Sequence, residues 1–492
     1  MNRFVRFLLN NKEINLIVTS LFIFLSIYGS VISIAHLSFW DPLSNAETIP
    51  AIPSNRTDEV GVLRENVDAA TNVISLLLLW TLASIFGRLV SYAKLPPLLG
   101  MLMAGILVRN VSFLSTVFCI DSDWSRIITK LAVILILMRC GINLQPEVLR
   151  NSWASFLSLG FVSTTVEAAA IFVVSFLILE TSIPMAIAFA YVLCSTSPAV
   201  TVPSMIRLQD KQLGVAEGIP TILLASATID NIYCIVSFVV CSSLSTAGGD
   251  KILMVIVSVV LQIGLGFVIG IIVGLFLRYF PRSNMSALAF VRCSSLAFAS
   301  MALVFGSKAM GFEAFGPVAV LIACFVVSIK WKSGSEDAGK TEETCFRLTW
   351  LLVFQPLLFV LIGLLFEFSQ LTWKTVGLAV CVLFTGVAVR FAAVLLISLP
   401  MKFKLKRKFF ISVCFFPKAT IQAALAPMIA QFATEQTPTS TVSFMLQTCV
   451  LSILITAPIG QVIIDRLGVV LLKDGQNVSA TAEESTSESK SN

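Results

Sequence analysis

A carboxylate lies in the middle of a stretch apolar enough to cross a bilayer, and few folds tolerate that. The stretch is Gly218 to Val239, GIPTILLASATIDNIYCIVSFV, and it carries the pair Asp230-Asn231. In a span read at 219–243, Asp230 is about a dozen residues from either end. At 1.5 Å rise per residue that is roughly 18 Å deep, near the bilayer midplane. An ionisable group in hydrocarbon costs several kcal/mol unless it faces a cavity or a partner, so its default reading is an ion pathway. The plainer reading is a polar residue that holds two helices together.

The rest of the chain has the same character. Of its 492 residues 57% are hydrophobic and 13% charged, which excludes an ordinary soluble globule. The pattern predicts an all-α polytopic membrane protein of about fourteen transmembrane helices. They are read at 13–37, 67–93, 95–110, 128–143, 153–178, 183–206, 219–243, 253–278, 286–306, 314–330, 348–368, 375–399, 408–433 and 441–468. Three regions follow: a stub, extra helix and outer loop over 1–66, a membrane domain over 67–472, and a polar, disordered tail over 473–492. The first apolar run is too long for a cleaved leader.

An even count puts both termini on one face. Arg3, Arg6 and Lys12 share that face with MKFKLKRK (401–408), while the 38–66 loop opposite holds two basic and five acidic residues. The positive-inside rule therefore places the termini in the cytoplasm. The outer loop carries the sequon Asn55-Arg56-Thr57, a glycosylation candidate; those at Asn284 and Asn477 face the cytoplasm. The basic 401–408 loop reads as a topology determinant, with anionic membrane lipid as a possible partner.

Cys194, Cys234, Cys241, Cys324, Cys381, Cys414 and Cys449 lie inside apolar runs without metal-ligand spacing and read as small fillers. His36 is the only histidine, which excludes histidine-based catalysis. No Gly-rich phosphate loop is present, which argues against an ATP-driven pump. An intramembrane aspartyl protease needs two free carboxylates at depth, and only Asp230 is free. The reading is a transporter, not an enzyme, with no cofactor and no nucleic-acid partner.

Two spans are interrupted. CSTSPAVTVPSM (194–205) and FFPKATIQAALAP (415–427) place Pro198 and Pro417 mid-membrane, each followed by alanine and small polar residues. Proline breaks the helical ladder, and freed backbone groups survive in a membrane only where they line a protein cavity. The interruptions are seven spans apart, so the second is inverted relative to the first. That makes spans three to seven and ten to fourteen two inverted five-helix repeats with broken crossing helices, the architecture of secondary transporters. Ordinary proline kinks are the competing reading. The remaining midplane charges are Glu167, Arg390 and Lys418. Glu167 and Arg390 occupy equivalent places and should pair, in a structural or gating role. Lys418 should neutralise the negative helix ends at the second break. That leaves Asp230 unpartnered, available for a cation or a proton.

Seven runs carry a family resemblance: LPPLLGMLMAGILVRN (95–110), LAVILILMRCGINL (131–144), STSPAVTVPSM (195–205), GVAEGIPTILLASATIDN (214–231), FQPLLFVLIG (354–363), FFPKATIQAALAP (415–427) and LSILITAPIG (451–460). Through them the chain resembles the animal sodium/proton antiporters of the second cation/proton antiporter group. The resemblance implies a homodimer, an elevator-type movement of a core domain, and ion binding by an aspartate pair on the 219–243 helix. It also implies backbone oxygens from the broken helices, at Ser195 and Thr196, and a Glu167–Arg390 ion pair. One position departs. The family's second aspartate, its principal ion carrier, is here Asn231, which offers a carbonyl oxygen to sodium but exchanges no proton.

The function expected is exchange of Na⁺ or Li⁺ for H⁺ at Asp230, with Asn231, Ser195 and Thr196 as neutral oxygen ligands. A lone titrating carboxylate makes one-for-one, electroneutral exchange the simplest stoichiometry. Two alternatives remain: anion movement coupled to protons, and a non-transporting sensor on an inherited fold.

Overall fold

The computed structural model describes Phe22, Ser26, residues 63–64, 69–118, 120–144, 153–179, 181–215, 217–245, 252–281, 287–332, 339–431 and 438–472. The first expected span, the 1–66 region but for Phe22, Ser26 and two strand residues, and the 473–492 tail lie outside them. So do His36 and the sequons at Asn55, Asn284 and Asn477.

The helices in order are α1 (Ala69–Tyr92), α2 (Pro97–Asn110), α3 (Ser112–Val117), α4 (Ser122–Asn143) and α5 (Trp153–Ile178). Then come α6 (Ile183–Cys194), α7 (Pro198–Asp210), α8 (Ile219–Ser245), α9 (Ile252–Tyr279), α10 (Leu288–Ala309) and α11 (Phe315–Trp331). The last are α12 (Lys340–Gly363), α13 (Trp373–Ser398), α14 (Leu405–Val413), α15 (Thr420–Gln431) and α16 (Thr439–Leu472). The only strand pairing among the described residues is a two-residue parallel bridge, Leu63–Arg64 with Ile120–Asp121.

Nine stretches among the described residues are long and apolar enough to cross a membrane, with α6 and α7 counted together. Helices α2, α11 and α15 are apolar but shorter. The span expected at 128–143 falls on α4, which is outside the nine; it also carries Arg126, Lys130 and Arg139. The span expected at 408–433 is two helices, α14 and α15, separated by a non-helical link at 414–419.

The described residues form two compact bodies. One comprises Met1–Trp80, Val111–Leu144 and Val239–Leu358. Within it α11 packs against α4 and α9. Gly266, Gly270 and Gly274 repeat every fourth residue along α9, forming one face. Cβ atoms built there would lie 2.7 Å from Phe315 O, 2.7 Å from Ala319 O and 2.8 Å from Val326 Cβ. Lipid offers no hydrophobic drive between apolar helices, so close backbone packing along such a stripe supplies the attraction.

The other body comprises Thr81–Asn110, Gln145–Phe238 and Phe359–Asn492. Here α5 lies against α6 and α13, α15 against α6 and α16, and α14 against α13 and α16. A π-helical turn at Ser158–Val162 interrupts α5 just before its polar residues. The turn ahead of α13 is tied to the end of α2, where Asn110 Nδ2 donates to Phe366 O (2.9 Å) and Arg109 meets Glu367 (2.7 Å). The Ser369 hydroxyl, then Arg109, hold the Glu367 carboxyl below the usual carboxylate range.

Gly270→Val should lower the unfolding free energy by about 1–3 kcal/mol through overpacking. Gly264→Val, where an added Cβ meets nothing within 4 Å, should change it by less than ~0.5 kcal/mol. Denaturation of the two purified variants against the parent checks both.

Candidate functional site

The site is built where two helices stop. Helix α6 ends at Cys194, Ser195 to Ser197 are extended, and Pro198 opens α7 at a position that needs no N–H. At the second break α14 ends at Val413 and α15 starts at Thr420, with Pro417 in the link. The interruptions bond directly to each other: Ser197 N–H donates to Pro417 O at 2.8 Å. Their hydroxyls meet as well, Ser197 Oγ and Thr420 Oγ1 being 3.1 Å apart.

Several backbone groups freed around α6's end are met by side chains. Gln422 Nε2 donates to Val192 O (2.9 Å), Leu193 O (3.2 Å) and Ser195 O (2.9 Å). Lys418 Nζ takes Cys194 O. Lys418 N–H in turn donates to Thr456 Oγ1 on α16 at 2.8 Å. Thr196 N–H donates to Asp230 Oδ2 at 2.7 Å. In a medium without water each of these groups would otherwise be an orphan worth several kcal/mol.

Helix α8 brings Asp230 and Asn231 to this junction, and both are fully buried. Its neighbour α5 approaches without an intervening side chain, because a Cβ on Gly160 would stand 2.6 Å from Ser226 O. One turn further along both helices, Thr164 Oγ1 donates to Asp230 Oδ1. Another turn on, Glu167 enters the cluster, also fully buried.

Arg390 on α13 forks between the two carboxylates. Its Nη1 lies 3.1 Å from Glu167 Oε2 and its Nη2 3.2 Å from Asp230 Oδ1. The guanidinium also sits over the Phe415 ring, 4.8 Å from the centroid. Lys418 Nζ holds the far side of Glu167, at 2.7 Å from Oε1 and 2.9 Å from Oε2. Two cations and two anions thus close on themselves inside apolar surroundings. Removing one member of such a group typically costs 3–5 kcal/mol, since the remaining charge is left buried and bare.

The predicted residues therefore meet, with three differences from the sequence reading. Asp230 is not unpartnered, because Arg390 is shared and does not serve Glu167 alone. Lys418 caps the end of α6 and also pairs with Glu167. At the first break the groups turned toward α8 are donors: the Thr196 amide to Asp230, and the Ser195 hydroxyl to Asn231 Oδ1 at 2.7 Å. The Ser195 carbonyl is taken by Gln422. Thr164, Gln422 and Thr456 are parts of the site that charge counting does not find.

Some polar atoms here remain without a hydrogen bond: Thr196 Oγ1, Ser226 Oγ, Asn231 Nδ2, Arg390 Nε and Gln422 Oε1. Thr196 also lines a small cavity of about 10 Å³, together with Thr201, Ala227 and Phe415. That is close to the space one water occupies by this measure. Among the described residues no three His, Cys, Asp or Glu side chains converge, so a cation at Asp230 would need hydroxyl and amide oxygens to complete its shell.

A chain of apolar, membrane-length helices whose two helix breaks meet beside a buried aspartate is matched by one family model, described as "Sodium/hydrogen exchanger, transmembrane", over residues 74–463. The chain belongs to this family. Its exchanger relatives include sodium/hydrogen exchanger 9B2 of Xenopus tropicalis, 34% identical over 427 residues and covering 84% of this chain and 77% of that protein. Human sodium/hydrogen exchanger 9B1 is 32% identical over 415 residues, covering 82% of this chain and 78% of its own. Among solved structures, the sodium proton antiporter MjNhaP1 from Methanocaldococcus jannaschii superposes with a TM-score of 0.64. That match has 17% identity and covers 82% of this chain and 99% of the other, a likeness of fold. The exchanger chain is thus a multi-pass membrane protein with this antiporter fold.

Gln422→Leu should lower stability by about 1–3 kcal/mol, because it strands three carbonyls at the end of α6. Gln422→Glu should fall by a similar amount, since a carboxylate has the size but not the N–H. Thermal unfolding of the two variants measures it.

Proposed function

We propose that this chain exchanges Na⁺ or Li⁺ for H⁺ across a membrane, with Asp230 as the carrier. The observation that supports this most is a fully buried carboxylate at the junction of two broken helices, in a chain of the sodium/hydrogen exchanger family. The similarity to exchangers 9B1 and 9B2, and in fold to a sodium proton antiporter, supports the same reading.

Charge arithmetic sets the coupling. Asp230, Glu167, Arg390 and Lys418 sum to zero when all are charged. A cation bound to Asp230 raises the cluster to one positive charge, and a proton on Asp230 does the same. The two loaded forms are electrically equal, so one-for-one exchange moves no net charge. A cation entering must displace Arg390 Nη2, which keeps Nη1 on Glu167. Lys418 holds Glu167 throughout. Thr164 Oγ1, which contacts Asp230, is the first neutral oxygen offered to a hard cation, with Thr196 Oγ1 and Asn231 Oδ1 taken as the others. Ser195 acts through its hydroxyl, which positions Asn231.

Family membership supports a homodimer and an elevator-type movement of the ion-binding core as further parts of the proposal; the loop-charge asymmetry supports cytoplasmic termini, and the Asn55-Arg56-Thr57 sequon supports a glycosylated outer loop. A second reading, proton-coupled anion movement, has one observation in its favour. Arg390 Nε and Asn231 Nδ2 are buried donors without acceptors beside a charge-neutral cluster.

Proton flux in proteoliposomes separates the readings. Pulses of NaCl, LiCl and sodium gluconate should all drive flux, KCl should not, and Asp230→Asn should abolish it. A response that needs chloride and ignores the cation supports the anion reading, and silence from folded protein supports a non-transporting role. The exchange rate should also be indifferent to a potential of 100 mV of either sign. Moving one net charge through that field would involve about 2.3 kcal/mol and a strong voltage dependence.

A further inference from the structure

Two thiols beside the ion cluster touch each other. Cys194 is the last residue of α6, and Cys234 stands one turn beyond Asp230 on α8. Their sulfurs are 3.6 Å apart, and both side chains are fully buried. Cys234 Sγ also lies 3.9 Å from Asp230 Oδ1, and Cys194 Sγ lies 3.6 Å from Tyr191 O. The two are 40 residues apart in sequence, so spacing gives no sign of the pair and each alone reads as a small filler. Lys418 holds the Cys194 carbonyl and Asp230 the Thr196 amide, which keeps the end of α6 beside α8.

Two sulfurs in contact select a ligand by softness. A hard cation such as Na⁺ takes oxygen, whereas thiolates take copper(I) and its chemical analogue silver(I). No group of three His, Cys, Asp or Glu forms among the described residues, which disfavours zinc, an ion of four ligands. Copper(I) and silver(I) accept two sulfurs in line. At the ~2.3 Å of a metal–sulfur bond, such sulfurs stand ~4.6 Å apart, so the pair must open by about 1 Å. Binding is itself an exchange. The S–H bond of one cysteine breaks, a metal–sulfur bond forms, the proton leaves to solvent, and the second sulfur binds through a lone pair. One positive charge enters and one leaves, so no new charge is buried.

We propose that Cys194 and Cys234 form a two-sulfur site for one soft monovalent cation, copper(I), with silver(I) as its redox-stable probe. An ion held there sits one turn from Asp230 and takes the thiol that faces its carboxylate. The consequence for exchange, a carrier blocked by soft cations beside its own ion site, rests on the transport reading. The site itself does not, and its test counts metal, not flux.

The test loads the full chain in lipid nanodiscs with silver(I), dialyses it against glutathione, and counts the retained metal by mass spectrometry. Glutathione, a single thiol, takes silver from lone cysteines more readily than from a pair that grips it together. Cys194→Ala, Cys234→Ala and the double variant should each retain about one ion per chain fewer than the parent, since losing either sulfur breaks the site. Cys449→Ala, which removes a buried thiol on α16, should retain as many as the parent. Excess sodium nitrate should displace none, because a hard ion does not compete for sulfur. Unchanged retention in the three variants would overturn the site. So would a double variant that loses twice what each single does, the mark of two independent thiols. Displacement by sodium would overturn it as well, and that arm needs no variant to fold.

Discussion

One guanidinium between two carboxylates is the interaction around which the rest of this structure is arranged. Arg390 cannot lose its proton, so the helices near it must supply negative charge at the same depth or expose it to solvent. Glu167 and Asp230 supply that charge, and Lys418 restores balance on the far side of Glu167. Each of the four lies on a different element, α13, α5, α8 and the second break. The cluster thus ties together segments that lipid alone would give little reason to associate.

The broken helices solve a related problem with neutral groups. A helix that stops in a membrane leaves carbonyls at its end and amides at its restart, and neither finds water there. Gln422 and Lys418 answer the carbonyls of α6, while Pro417 O and Asp230 answer the amides of Ser197 and Thr196. The aspartate at the centre of the proposed chemistry is therefore also a structural acceptor. Any cation that binds it must leave the Thr196 amide satisfied or replace its partner.

The all-helical class and the two helix breaks were legible because charge and proline in apolar runs have few interpretations. Spans from 67 to 468 correspond to helices or helix pairs, and both breaks fall at the motifs holding Pro198 and Pro417. The Glu167–Arg390 contact followed from opposite charges at matching depth. The sharing of Arg390 did not, because a sequence assigns a cation one partner while a planar fork reaches two. Thr164, Thr456 and Gln422 were illegible for a different reason. A hydroxyl in a membrane helix usually bonds its own preceding turn; Thr456 does so while accepting from Lys418 N–H, and Thr164 has Gly160 O of its own turn and Asp230 Oδ1 across the interface competing for one hydrogen. Only the rotation of each helix about its axis decides where such a residue points, and near-uniform hydrophobicity hides that rotation. The π-helical turn before Thr164 was hidden too, since nothing in SLGFV distinguishes it from ordinary helix.

The bond from Ser197 to Pro417, with Gln422 reaching back to residues 192 to 195, also governs how such a chain can change over time. Each break is the hydrogen-bond complement of the other, so neither can drift alone. A substitution that alters the length or conformation of one link leaves polar groups stranded in the other, more than two hundred residues away in sequence. The two motifs are in effect a single inheritable unit divided between distant parts of the chain.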